Sequence, residues 1–459
     1  MNTNNNLLLQ TNGFLFFSIL LIGGILVYTI PKDHISSEER RKLSDFPEYT
    51  FNNWITGKYT DSINKYYSDN FVLRNDLINL ANKLKSYKGI ESKDLIIFKQ
   101  PNKKSIENTG LNYQGKDEIE NDREKEDTTL FEQNDINPEE ADFQNINSII
   151  LYKNRAIQIF GGQNSSAENY AKMVNRFKEE HHSLSVFCMA IPCGSDFYLP
   201  PSFNKKGYRE KEFINTLHSQ LSPSVKKVMA YNELSKHTKE YIQLKTDHHW
   251  SGRGAYYAYQ AFCNSAGLQA LQFNQLNRRY TTGYLGTMYG YTRSELLKKN
   301  LDTIEYFKIP GNTKSVYYKN GYKNPIDTKL YHEVSKGTNG YGVFLGADYP
   351  LMRVTSEKKN NKRILMIKDS YGNAFAPFLA AHYEEVFIID YRYYNGSIPE
   401  LIKTFKITDI LFGHNVFVLN SNFTLKREKY LIYYKGYDPS LNIVAKKKER
   451  KTDTTSQSN

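Results

Sequence analysis

An α/β domain with a mostly parallel sheet is what the sequence predicts for residues 146–435, on three observations. Short runs rich in β-branched and aromatic residues recur there: SLSVFCMAIP, KKVMAY, RILMIKD, EEVFIID and ITDILFG. Segments with helical apolar spacing, such as AENYAKMVNRFKEEH and IPELIKTFK, fall between them. Strands that alternate with helices need crossover connections, and crossovers leave neighbouring strands parallel. The third observation is two polar motifs, TDHHW at 246–250 and DSYGN at 369–373, which are expected to fall at one edge of that sheet. In parallel sheets the carboxyl edge of the strands is where ligands bind.

Ahead of this domain, residues 13–30 (GFLFFSILLIGGILVYTI) form an uncharged run of 18 residues that ends at Pro31. A run of about 20 apolar residues crosses the hydrocarbon core as one helix. Tyr28, Thr29 and Ile30 do not make the small-residue cut site of a signal peptide, so an uncleaved transmembrane anchor is expected. Lys32, Arg40, Arg41 and Lys42 follow the run while no Lys or Arg precedes it, which by the positive-inside rule alone would keep the large domain in the cytoplasm. Residues 31–100 alternate apolar and charged positions at helical spacing and read as a helical juxtamembrane segment. Residues 101–145 carry thirteen acidic against five basic side chains with little apolar content, and are expected to be a disordered, solvated insertion. Residues 436–459 read as a basic tail without periodicity.

The composition excludes several classes. A net charge of +12 and a mean hydropathy of −0.62 are incompatible with a multi-span membrane protein. No repeat period points to a solenoid. Cys188, Cys193 and Cys263 have neither C-x-x-C nor zinc-ligand spacing, which argues against a disulfide framework and against a structural zinc site. The basic balance comes with no helix-turn-helix, zinc-finger or RNA-recognition signature, so nucleic acid is not an expected partner.

Chemistry is carried by the two motifs. Asp247 and His249 stand two apart, and in an extended segment they would face one side, the carboxylate fixing the imidazole tautomer and His248 pointing away. Such a pair is the orienter and base half of a triad, but by itself it can equally be part of a metal-ligand set or a capping carboxylate beside a packed histidine. Ser370 follows the run RILMIKD and opens a helical segment. On a strand-to-helix turn its hydroxyl is presented at the sheet edge beside unpaired backbone N–H groups. The plain alternative is that Asp369 or Ser370 caps that helix. Together the motifs supply nucleophile, base and orienter for acyl transfer.

The segments TDHHWSGRGAY and KDSYGNAFAPFL … YEEVFIIDYRYY, with EERRKLSDFPEY … DNFVLRNDL before them, resemble the DHHW proteins. These are relatives of the periplasmic components of alginate O-acetylation. The resemblance runs through most of residues 35–430 and keeps the order Asp-x-His before Ser. It implies an SGNH-hydrolase-like three-layer sandwich, with Asp247 as orienter, His249 as general base and Ser370 as nucleophile. By the same resemblance the protein would be a single-pass protein of the bacterial cell membrane with its catalytic domain outside the cytoplasm. It would acetylate hydroxyls of an exported polysaccharide, with a membrane-bound O-acyltransferase as the partner that supplies acetyl groups. No cofactor and no metal are expected. Backbone N–H groups at Ser370 and Tyr371, with Asn415 from the GHN turn, are the oxyanion candidates. Arg392 and His248 are candidates for substrate contact, Arg392 having a surface ion pair as its plain alternative. Tyr280, Tyr284, Tyr289, Tyr291, Tyr317 and Tyr318 could stack on sugar rings or simply pack. The same triad also fits a carbohydrate esterase, a non-catalytic polysaccharide-binding component would retain the fold, and Asp247, His248 and His249 could instead hold a metal for hydrolysis.

Overall fold

The computed structural model describes residues 11, 13–18, 21–22, 35–36, 41–71, 73–87, 95–99, 132–134, 149–200, 203, 209–333 and 340–433. The chain divides into two compact units, Met1–Ser92 and Lys93–Asn459. The tail at 436–459 lies outside the described residues, as does the acidic stretch at 101–145 apart from Glu132–Asn134.

In the first unit, α1 (Phe51–Ile55), α2 (Lys58–Asn70) and α3 (Arg74–Tyr87) follow one another. Thr50 caps α1 by accepting from the Asn53 amide. The preceding segment is tied to α2 by Asp69, whose carboxylate accepts from the Ser44 amide and hydroxyl at 2.9 and 2.7 Å. Among the described residues no helix is long and apolar enough to cross a membrane. This corrects the expectation of a transmembrane helix, and with it the single-pass placement in the cell membrane.

The second unit is built on an eight-stranded sheet. Its strands are β5 (Ser185–Ile191), β6 (Val225–Val228), β9 (Thr313–Tyr318), β10 (Ile326–Thr328), β11 (Leu351–Ser356), β12 (Arg363–Lys368), β13 (Glu385–Asp390) and β14 (Asp409–Asn415). They lie in the order β10-β9-β11-β13-β12-β14-β5-β6. The five strands from β13 to β6 pair in parallel, whereas β10, β9 and β11 pair antiparallel. The sheet is therefore mixed, a correction to the mostly parallel sheet expected. Hairpin-type pairing needs no crossover helix, so the chain between Gly267 and β12 could add strands to the edge without the strand–helix alternation that marks the parallel part.

Side-chain alternation gives every central strand two buried faces. On β12, Ile364 and Met366 pack toward α6 (Gly252–Ala266) and α7 (Gly372–Leu379). Leu365 and Ile367 pack on the other face, which is covered by α4 (Asn164–Glu180), α5 (Glu210–Gln220), α8 (Ile398–Phe405) and α9 (Asn422–Tyr433). A separate antiparallel sheet joins β1 (Leu95–Lys99), β2 (Glu132–Asn134), β3 (Ile149–Tyr152) and β4 (Arg155–Gln158). The run LIIFK at 95–99, inside the stretch expected to be helical, is thus a strand. A two-stranded ribbon pairs β7 (Asn277–Tyr284) with β8 (Asp302–Lys308).

Two features of this fold position the site. After β12 the chain returns through α7 to β13 on one side, then through α8 to β14 on the other, so the strand order reverses at β12. Such a reversal opens a crevice at the carboxyl ends, where Ser370 and Asn415 stand. Helix α6 begins close beneath the loop that carries the histidines. Ser251 caps it by accepting from the Gly254 amide, and a Cβ on Gly254 would lie 2.3 Å from the Ile242 carbonyl oxygen, so that turn admits glycine alone.

Candidate active site

The loop at 243–250 bends back on itself and is closed by an antiparallel bridge between Gln243 and Trp250. Asp302, on the neighbouring ribbon strand β8, grips it: its carboxylate accepts from the Lys245 amide, the Thr246 amide and the Thr246 hydroxyl at 2.8, 2.8 and 2.6 Å. The Tyr241 hydroxyl donates to the same carboxylate.

Within the loop, the Asp247 carboxylate accepts from both the amide and Nδ1 of His249, at 3.0 and 2.6 Å through Oδ1. The pairing therefore arises from a local side-chain-to-backbone turn, not from strand alternation. Because the segment is bent, His248 does not point away: its ring centroid lies 3.9 Å from that of His249, and its Nδ1 meets Thr287 Oγ1 at 2.7 Å. The other Asp247 oxygen accepts from the Tyr284 hydroxyl at 2.8 Å, the Thr287 amide at 2.9 Å and the Thr287 hydroxyl at 3.2 Å. Burial alone would raise its pKa, but the charges of His249 and His248 and these donors hold the carboxyl well below the usual range.

His249 Nε2 lies 2.8 Å from Ser370 Oγ. One tautomer satisfies the ring: Nδ1–H donates to Asp247 and Nε2 accepts from the serine hydroxyl. Tyr341 stacks on the imidazole at 4.0 Å and 12°, and its hydroxyl donates to the Ser370 carbonyl at 3.3 Å. Trp250 Nε1 donates to the Tyr371 carbonyl at 2.9 Å, and the Tyr371 hydroxyl donates to the His248 carbonyl. These two bonds lace the base loop to the nucleophile turn.

Asp369 does not cap α7. Its Oδ1 accepts from the Tyr371 amide and its Oδ2 from the Asn415 amide, each at 2.8 Å. Of the candidate oxyanion groups expected from the sequence, the Tyr371 amide is thereby already paired, which leaves the Ser370 amide and Asn415 Nδ2 as the candidates. Asn415 Oδ1 is in turn occupied by the amides of Phe417 and Val418. Arg392 lies in a charge cluster: its guanidinium donates to Asp390 and Asp348, and the buried Lys368 ammonium donates to the same two carboxylates at 2.9 and 2.8 Å. Asn373 Nδ2 joins it by donating to Asp348 at 2.8 Å, so the cluster braces the start of α7. Of the tyrosines considered for sugar stacking, Tyr284, Tyr289 and Tyr318 are buried, Tyr317 stacks on Tyr349, and Tyr280 is exposed beneath Arg278.

Asp247, His248 and His249 place ligand atoms within 4.8 Å of one another, a set with metal-binding chemistry. The set does not suit a resident ion: Asp247 is saturated by the donors above, and His249 uses both ring nitrogens on Asp247 and Ser370.

Thr287, Asp302 and Tyr341 escape sequence reasoning because no local spacing links them to the motifs, and Tyr284, considered only for sugar stacking, instead donates to Asp247. One glycine does carry a trace of the packing. A Cβ on Gly286 would lie 2.3 Å from Asp247 Cβ and 2.5 Å from the Thr246 carbonyl oxygen. Gly286→Ala is expected to push the loop off its ribbon, lowering stability by about 1–3 kcal/mol and slowing turnover. Denaturant unfolding together with kcat checks both.

The signature of the DHHW protein family matches residues 114–389. Among solved structures, the fold is similar to a DHHW family protein from Eubacterium siraeum, with 28% identity and a TM-score of 0.58 over 64% of this chain and 99% of that one. Bacillus cereus PatB1, in its structure with a sulfonyl adduct, is similar at 18% identity and a TM-score of 0.51, over 61% of this chain and 97% of that one. The O-acetyltransferase domain of Pseudomonas putida AlgJ has 13% identity and a TM-score of 0.34, over 59% of this chain and 91% of that one. No protein of curated function matches the chain.

Proposed function

The chain belongs to the DHHW protein family, and from that premise we propose that it is an O-acetyltransferase that moves acetyl groups onto polysaccharide hydroxyls through an acetyl-serine. One observation carries the reading: the series Asp247 Oδ1, His249 Nδ1, His249 Nε2 and Ser370 Oγ, with contacts of 2.6 and 2.8 Å, at the crevice where the strand order reverses. In the first half-reaction His249 Nε2 takes the Ser370 proton as Oγ attacks the acetyl carbonyl of a donor presented by a partner O-acyltransferase. The developing oxyanion lies against the Ser370 amide and Asn415 Nδ2. Collapse expels the donor's leaving group, which takes the proton from His249. In the second half, a sugar hydroxyl gives its proton to His249, attacks the acetyl-serine, and Ser370 leaves with the proton. Asp247 stays ionised throughout and stabilises the imidazolium formed in each half.

The test gives the full chain a small acetyl ester with and without oligosaccharide acceptors and follows the acetyl group by mass spectrometry. Acetylated oligosaccharide, formed in preference to acetate, is the expected outcome. Acetyl released only to water would replace the transferase with an esterase.

A further inference from the structure

Beneath the nucleophile turn lies a second series of charged groups that the acyl-transfer chemistry does not use. Residues of β14 alternate, and Ile410 and Phe412 point into the apolar layer between the sheet and the helices α4 and α9. The next position in that alternation is His414, fully buried. Its Nε2 lies 2.7 Å from Glu428 Oε1 on α9, and its Nδ1 lies 3.4 Å from Asp369 Oδ2. The other oxygen of Glu428, also fully buried, accepts from the Tyr170 hydroxyl on α4 at 2.7 Å.

Both contacts are within ion-pair distance, so the ring lies between two carboxylates. A neutral ring carries one N–H, so its other nitrogen would turn a lone pair toward a buried carboxylate, which is costly. Burial acts against protonation of His414, but Glu428 and Asp369 override it and raise the pKa to about 9. The imidazolium in turn helps to hold Asp369 ionised, against the burial that would raise its pKa. An ionised Asp369 is what accepts the Tyr371 amide, next to the nucleophile, and the Asn415 amide, on the neighbouring strand end.

We propose that His414 is a positioning residue: clamped between Glu428 and Asp369, it fixes the Asp369 carboxylate so that the turn bearing Ser370 and the strand end bearing Asn415 stay in register. This inference rests on the acetyl-serine reading above. It makes the relative placement of nucleophile and oxyanion donor depend on a charge series reaching from Glu428 on α9 to the sheet, anchored by the Tyr170 hydroxyl on α4, with no substrate contact of its own.

The experiment compares the full-length wild type with His414→Gln, Glu428→Gln and Ser370→Ala. A chromogenic acetyl ester gives kcat and KM, a serine-directed sulfonyl fluoride counts competent sites and gives their labelling rate, and a melting curve reports folding. In His414→Gln each titrated site is expected to turn over about ten- to a hundredfold more slowly, the range that a small misplacement of reacting groups produces. KM should stay within about twofold, and the labelling rate should fall in parallel. A histidine that merely supports the core would instead reduce the number of titrated sites and the melting temperature, with wild-type turnover per site, and that result overturns the proposal. Should His414→Gln not fold, Glu428→Gln removes only the far charge and carries the same expectation by a smaller factor; wild-type turnover per site in it is equally fatal. Activity and labelling that persist in Ser370→Ala would bring down the acetyl-serine reading. A dead Ser370→Ala beside an unimpaired His414→Gln would bring down the positioning role alone.

Discussion

Ser370→Ala is expected to lower acetyl turnover by about 10³-fold or more while the protein melts almost where the wild type does. The hydroxyl is half-buried, and the side-chain contact that places it is the one to His249 Nε2 at 2.8 Å. Removing it leaves the loop bonds of Asp247, Trp250 and Tyr371 in place, so the change in stability should stay within about 1 kcal/mol. Binding of oligosaccharide acceptor, followed by calorimetry, should be unaffected. Initial rates with the small acetyl ester, normalised to folded protein, check the first part. A variant retaining more than about a tenth of the activity would place the nucleophile elsewhere, since a triad without its nucleophile keeps only what binding and oxyanion donors supply.

Asp247→Asn should be nearly as severe for a different reason. The carboxylate receives the His249 amide and Nδ1 on one oxygen and Tyr284 and Thr287 on the other. An asparagine side chain has one acceptor oxygen, so its NH₂ must face donors on one side. If the NH₂ faces His249, the ring is driven to the tautomer with the proton on Nε2, which cannot accept from Ser370. Turnover is then expected to fall by about 10³- to 10⁴-fold with little change in KM. Unlike Ser370→Ala, this variant should also lose stability, by about 1–3 kcal/mol, because buried donors are left unpaired. Steady-state kinetics beside chemical denaturation separates the two effects. Unchanged stability would mean that the Tyr284 and Thr287 contacts contribute little to holding the loop.

The parts of the molecule that were legible are those governed by local physics. The runs SVFCMAI, RILMIK and EVFIID are buried on both faces, and a strand buried on both faces is near-continuously apolar between its ends. Helix α6 starts at a serine cap and stops at Gly267 with φ of 66°, both marked in the sequence. The antiparallel strands β9, β10 and β11 were not legible, because at this side of the sheet the strands are only partly buried and mix Lys, Arg, Thr, Tyr and Asp with apolar residues. The Asp247–His249 pair was legible as a pair, but its geometry was not. The turn depends on Asp302 gripping Thr246 from 56 residues away, and nothing near the motif announces that contact. Arg392 could be singled out as a motif arginine. That it braces Asp390 and Asp348 followed only from the fold.

By itself the sequence determined the α/β alternation, the strand-to-helix turn that carries Ser370, and the two-residue spacing that lets one carboxylate reach one imidazole. These depend on periods of two and 3.6 residues and on bonds that close within a turn. The tertiary structure alone decided that β14 lies beside β12, that the Asn415 amide shares a carboxylate with the Tyr371 amide, and that His414 sits between Asp369 and Glu428. Those relations join residues far apart in the chain, and they form only when strand order and burial bring charged groups to one place where water cannot satisfy them.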